Sequence, residues 1–197
     1  MEQNRDIENS KHEVDFSELM IYAKRFTGLT QQRESLLMES TLEIKPALPS
    51  ITERFYTTLQ GIDQTALYLE GRVDKLKKTH LFWLEGLFTG PFDKHYVQSM
   101  YQVGRVHVDV DLPVEFMSGG MSLIGDEITN AIFDIYSDRT NQCQQLLKAV
   151  NSVMSFSLLI MQQSYQNSSL VAELDRFLAI TGMSRKLFDN LASAYHK

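Results

Sequence analysis

Two histidines stand where they could do chemistry. His107 falls in the stretch Leu87–Pro113, LFTGPFDKHYVQSMYQVGRVHVDVDLP, where Tyr96, Met100, Val103 and His107 follow at helical steps and Val110 extends the same face. Gly104 lies one turn before His107, and a missing side chain there would let something flat come close. His80 sits on a second stripe, Val73, Leu76, His80, Trp83 and Leu87, bordered by Thr79. A histidine on an apolar helical face is most often a core residue with one ring nitrogen hydrogen-bonded. Its other use is as a ligand to a metal or to haem iron. The spacing leaves both open, because two such stripes would pack together in any helical protein and would equally wall an apolar slot.

Other site types are harder to build from these residues. The chain has no GxxxxGK[ST], GxGxxG or HExxH, and no ExxH pair for a di-iron bundle. Cys143 is the single cysteine, so no intrachain disulfide and no CxxC site can form, which fits a reducing compartment. Without an organised histidine partner it is weak as a nucleophile and reads as a small residue within a helix. Gly125-Asp126-Glu127 is an isolated fragment. His12 and His95 sit in polar settings and His196 in the tail, with no role assigned.

Composition narrows the class. The chain has 197 residues, 43% of them hydrophobic, enough for one domain with a real core plus an extension. The net charge of −6, without a basic patch, argues against nucleic-acid binding. The polar N-terminus MEQNRDIENSKHEVD has no apolar targeting segment. The run Val153–Met161 contains serines and is too short to span a bilayer. The expectation is a soluble cytoplasmic protein.

The elements that must position the histidines are all helical. Residues 1–13 read as a flexible N-terminus. An amphipathic helix follows from Val14 to about Phe26, then one capped by Thr30 that runs to a corner at Pro46 and Pro49. Ser50 is the expected cap of a helix from Ile51 to about Leu59, ended by Gly61. The His80 helix spans about Arg72 to Phe88. The His107 helix is entered through the Gly90-Pro91 turn and ends before Pro113. A helix to about Tyr136 continues despite Gly119, Gly120 and Gly125, whose expected use is close approach of a helix or cofactor. Ser137-Asp138 is the expected cap of a last long helix, and Gln166-Asn167-Ser168-Ser169 a polar break before two short tail helices, Leu170–Thr181 and Arg185–Tyr195. The fold class is all-α.

The ordered set Leu87-Phe88-Thr89-Gly90-Pro91-Phe92-Asp93, Gly104-Arg105-Val106-His107 and Leu112-Pro113 resembles the proximal-histidine segment of globin-coupled sensors and protoglobins. The resemblance covers about residues 14–165. It implies a globin-like fold with an extra N-terminal helix and no D helix, with the sensor globin domain at 14–167 and a helical extension or linker start at 168–197. It also implies haem b (iron protoporphyrin IX) with His107 as the iron ligand. Tyr56 then corresponds to the family's distal tyrosine, a phenol able to hydrogen-bond a diatomic ligand. Thr79 matches a ligand-contacting hydroxyl position and Leu76 an apolar distal one. Trp83 and Val103 complete the expected lining, and His80 could turn inward as a second axial ligand, or serve packing or a surface hydrogen bond. The resemblance does not place the haem propionate anchors, with Arg105 and Lys94 no more than open options. Classical oxygen-storage globins usually carry a distal histidine where this chain has Leu76, which favours the sensor branch.

The function the resemblance implies is sensing of diatomic gas, O2 first, with CO and NO also bound. Its signal would pass through a homodimer of the last two globin helices, roughly Pro113–Tyr136 and Asp138–Gln166, to a C-terminal or separate output. No catalytic residues are expected. Two alternatives stand beside it: a cofactor-free all-α interaction or dimerisation module, and a haem-dependent gas-scavenging enzyme.

Overall fold

A computed structural model describes residues 14–195. The N-terminal segment 1–13, with His12, and His196 lie outside the described residues. The elements are α1 (Phe16–Thr27), α2 (Gln31–Ile44), a 3-10 turn (Lys45–Ala47), α3 (Leu48–Gln60), α4 (Asp63–Ala66), α5 (Val73–Thr89), α6 (Lys94–Asp109), α7 (Val114–Ile135), α8 (Thr140–Thr181) and α9 (Arg185–Tyr195). No strand occurs among the described residues, as the all-α expectation required. No helix among them is long and apolar enough to cross a membrane.

Local chemistry sets most boundaries. Asp15 caps α1 by accepting from the Ser17 and Glu18 amides at 2.8 and 3.1 Å, and Gly28 ends it in the left-handed region at φ 67°. Thr30 caps α2 through the Arg33 amide. Asp93 caps α6 through the His95 and Tyr96 amides at 2.9 and 3.0 Å.

Several boundaries differ from the sequence expectation. Gly90-Pro91, a cis pair, lies ahead of the α6 cap, so Asp93 and not Pro91 opens the His107 helix. Ser50 is inside α3, its hydroxyl bonded back to the Ala47 carbonyl, because Pro49 suits the first turn and lets the helix begin at Leu48. Ser137-Asp138 does not cap α8. Arg139 holds the N-cap position with no side-chain cap bond. The polar break at 166–169 is absent, and α8 runs unbroken for 42 residues through it. Asn167 is satisfied there by Gln163 one turn back and by the Tyr101 hydroxyl at 3.0 Å. Polar side chains with tertiary partners need not end a helix.

The core lies where α8 crosses α6, with α7, α2 and α1 also packed against α8. Phe156, Ile160, Val153 and Leu146 on α8 are fully buried, as are Val97, Leu37, Leu84 and Leu87 on its neighbours. At about 25 cal/mol per Å² of apolar area, such a core is the main stabilising term of the fold. The α6–α8 approach is the tightest. A Cβ on Gly104 would overlap the Met161 carbonyl oxygen and lie 2.9 Å from the Ser164 Cβ. The missing side chain therefore serves the α8 backbone rather than a flat ligand, which corrects the sequence reading of Gly104. Ser164 donates to the Tyr101 carbonyl at 2.6 Å, and Tyr96 and Ser157 share a hydrogen bond of 2.7 Å. Burial pushes the Tyr96 phenol up to about 12.

Candidate functional site

Away from that seam, α6 faces α5 across an opening. The two helices, with α3, α7 and the loop before α5, enclose an apolar cavity of about 310 Å³. One wall is α6, which contributes Val103, Val106, His107 and Val110. The opposite wall is α5, contributing Leu76, Thr79, His80 and Trp83, with Phe55, Tyr56 and Leu59 of α3 above it. Phe116, Met117, Gly120, Met121 and Ile124 of α7, together with Met161 of α8, form the back. Thus Tyr56, Leu76, Thr79, His80, Trp83, Val103 and His107, dispersed over 52 positions of sequence (56 to 107, inclusive), line one space.

The polar groups around this space are unevenly satisfied. Burial pushes the His107 pKa down, so its imidazole is neutral at physiological pH, the form that binds a metal. Its Nδ1 is buried without a hydrogen-bond partner. Burial likewise lowers His80 to about 4. Its Nδ1 meets the Thr52 hydroxyl at 3.2 Å, while its Nε2 is buried and unpartnered. The ring lies flat on Phe55, with centroids 4.8 Å apart and planes at 15°, and edge-on to Tyr56. The bond to the buried Thr52 replaces the surface hydrogen bond allowed for His80 from the sequence. The Trp83 indole nitrogen is buried too and meets no acceptor at full hydrogen-bond geometry, although it is close enough to the Tyr96 hydroxyl to act on it. Of the four buried side-chain polar atoms without partners among the described residues, three therefore belong to residues lining this one cavity. Each such orphan costs about 1–3 kcal/mol, and all three sit on residues of the cavity's two facing helices.

Tyr56 is buried, and burial pushes its phenol up to about 12. It stays protonated and a donor. Its hydroxyl forms no hydrogen bond to another described residue, so it is not a core tyrosine tied to a backbone carbonyl. Thr79 borders the cavity but is exposed, and its hydroxyl donates to the Lys75 carbonyl of its own helix at 3.2 Å. Leu76 and Val103 are apolar wall.

Sequence reasoning missed the back of the cavity. Met117, Met121 and Ile124 step along α7 by four and three, and Phe116 and Gly120 by four, so the helical period of this face was the signal that could have found it. Of the three α7 glycines, none makes a close approach: a Cβ on Gly120 would be in ordinary contact with the Phe55 ring at 3.6 Å, and Gly119 and Gly125 face open space. Neither Lys94 nor Arg105 lines the cavity. The charged residue that does is Arg72.

The fold and this geometry can be set beside known proteins. A family model described as Protoglobin matches residues 16–170. The globin domain of the Geobacter sulfurreducens globin-coupled sensor superposes with a TM-score of 0.69 at 28% identity, over 74% of this chain and 97% of that one. The globin domain of E. coli DosC, in ferric and ferrous forms, gives a TM-score of 0.61 at 17% identity over 72% of this chain and 97% of that one, a likeness of fold. No curated protein matches the chain. With the family's pattern running across most of its length and the same helices enclosing a histidine-lined cavity, the chain belongs to the Protoglobin family of globins.

Proposed function

We propose that the protein is a haem-binding sensor globin for diatomic gas. The observation that carries this is one apolar cavity between α5 and α6 lined by two neutral imidazoles, His80 and His107, with Tyr56 beside them. The donor set fits haem b. There is a neutral imidazole on each facing helix, no acidic side chain in the lining, and apolar walls to keep out water. His107 is the residue to hold the iron. When bound, haem supplies a coordination position for O2, CO or NO.

The chain's own residues then divide the work. Tyr56 offers a hydrogen bond to a diatomic ligand on the distal face, which favours O2, the most polar of the three when bound. Leu76 keeps that face dry. Thr79, with its hydroxyl committed to Lys75, makes no gas contact in this assignment. His80 would be the residue to hold the iron alongside His107 in the absence of gas, since its Nε2 is neutral, buried and unpartnered.

The protein is assigned as a binder rather than a catalyst, since the cavity offers no acid–base pair beyond these groups. Signal passes through a homodimer formed by α7 and the globin part of α8, where Val114 and Phe133 expose apolar surface, and leaves by way of the long α8 towards a C-terminal or separate output. Purified protein titrated with haemin is expected to develop a Soret band, with distinct ferrous–O2 and ferrous–CO spectra. His107→Ala is expected to lose axial ligation. A cofactor-free interaction module would show no such band, and a gas-scavenging enzyme would show rapid catalytic NO consumption with a reductant.

A further inference from the structure

The loop before α5 and the junction of α6 and α7 both line the cavity, and Arg72 on that loop is exposed. Tyr68 bridges the two. Its hydroxyl donates to the Asp111 carbonyl at 3.1 Å and its ring lies edge-on to Phe116 at 5.9 Å. Asp111 itself is held at φ 52°, the one positive-φ residue besides glycines among those described. Arg72 stands on the same loop, directly after Gly71 at φ 69°. It is the only charged side chain in the cavity lining, which holds no aspartate or glutamate. One guanidinium nitrogen, Nη2, donates to the Tyr68 carbonyl at 2.6 Å, which ties the side chain to the bridging residue. Among the described residues Arg72 makes no ion pair, so its other N–H donors remain available.

A lone guanidinium at the rim of an otherwise apolar pocket selects for a particular ligand shape. The body of the ligand must be hydrophobic to enter, and any acid it carries must stay at the mouth, where water and a cation can hold it. Arginine is suited to this because its planar fork can give two parallel hydrogen bonds to one carboxylate.

We propose that Arg72, braced by Tyr68, anchors a carboxylate on the edge of the ring bound in this cavity, and so fixes which edge faces solvent. This rests on the haem reading above, in which the carboxylates are the two propionates. It replaces Lys94 and Arg105 in that role. The anchor acts on retention and orientation of the ring, and not on the iron ligand itself.

The test compares haemin with its dimethyl ester, which has the same ring and no carboxylates. Each is loaded into the full chain, into Arg72→Gln and Arg72→Lys, and into Arg105→Gln as a control. The readout is the rate of loss to an excess of a haem-scavenging apoprotein. The unaltered chain and Arg105→Gln are expected to release the ester about three- to tenfold faster than haemin, the range of a partly exposed charge-assisted bond. Arg72→Gln is expected to release both at one rate, and Arg72→Lys to recover part of the difference. An ester effect as large in Arg72→Gln as in the unaltered chain, with haemin still taken up, overturns the anchor and leaves the haem reading intact. A chain that takes up neither compound overturns both.

Discussion

The two walls of the cavity are built on opposite terms. The α6 wall is locked from behind. Gly104 lets α8 approach to backbone contact, and Ser164, Asn167 and Ser157 hydrogen-bond Tyr101 and Tyr96 across the seam. The α5 wall is fixed at its far end, by the buried Leu84 and Leu87 and a hydrogen bond from the Thr41 hydroxyl to the Phe88 carbonyl, and by the Lys77–Glu53 ion pair, but its polar groups are left unsatisfied around His80. Behind His80 stand one hydrogen bond shared with Thr52 and a stacked Phe55, and two of its polar nitrogens, on His80 and Trp83, have no partner. On the haem reading proposed above, a rigid wall suits the residue that would hold the iron. On the same reading, a wall with unspent hydrogen-bonding capacity suits the side that would respond to a bound gas, because adjustment there breaks little. This division is open to direct attack, starting with the wall expected to be brittle.

The largest effect belongs to Gly104→Val. The new side chain has nowhere to go but into the Met161 carbonyl and Ser164, so apo stability by urea denaturation is expected to fall by about 3 kcal/mol, the upper part of the overpacking range. Gly119→Ala is the matched control, since nothing lies within 4 Å of its added Cβ and removing an exposed helical glycine should gain up to about 1 kcal/mol. Equal and small effects at both sites would show that the seam is not as tight as drawn.

Gly104 also shows what the sequence could and could not say. Its place one turn before His107 was legible, as was the helical stripe carrying His107. Which neighbour fills the space left by a glycine is not, because adjacent faces of a helix differ by only part of a turn and α8 lies 57 residues on, at Met161 (161 − 104). The same limit explains Asn167, read as a break because its partner Tyr101 is remote in sequence, and Arg72, which sits in a loop without any period to reveal it. The histidines and the apolar stripes were readable because helical periodicity is local. The back of the cavity and its rim depend on tertiary placement.

Ser157→Ala probes the same rigid wall more gently. It strands the Tyr96 hydroxyl, and a loss of about 1–2 kcal/mol in apo stability is expected. On the opposite wall Tyr56→Phe removes a hydroxyl that holds nothing together in the protein, so apo stability should change by less than about 1 kcal/mol. Its effect should appear instead in the haem-loaded protein as about a tenfold faster O2 dissociation, with CO dissociation little changed. Stopped-flow ligand exchange measures both. If Tyr56→Phe destabilised the apo-protein as much as Ser157→Ala, the two walls would not differ in the way proposed.

The smallest effect concerns Thr52, and it turns on a tautomer. A neutral imidazole carries one proton. If His80 Nδ1 holds it and donates to the Thr52 hydroxyl, the lone pair is left on Nε2, where it can ligate a metal. If the hydroxyl donates instead, Nε2 carries the proton and cannot. Accepting from Nδ1–H is thus how Thr52 would favour a ligating His80, much as a hydrogen bond at one ring nitrogen fixes the role of the other in metal sites. Thr52→Val keeps the shape and removes the acceptor. At roughly 1 kcal/mol for such a bond, the equilibrium between His80-bound and His80-free ferric haem should shift about fivefold towards the free form. Low-spin against high-spin absorption reads that shift, and His80→Ala sets its high-spin limit. An unchanged spin equilibrium in Thr52→Val, alongside a clear change in His80→Ala, would mean that His80 ligates without help from Thr52, and that the α5 wall is adjustable through the movement of α5 itself.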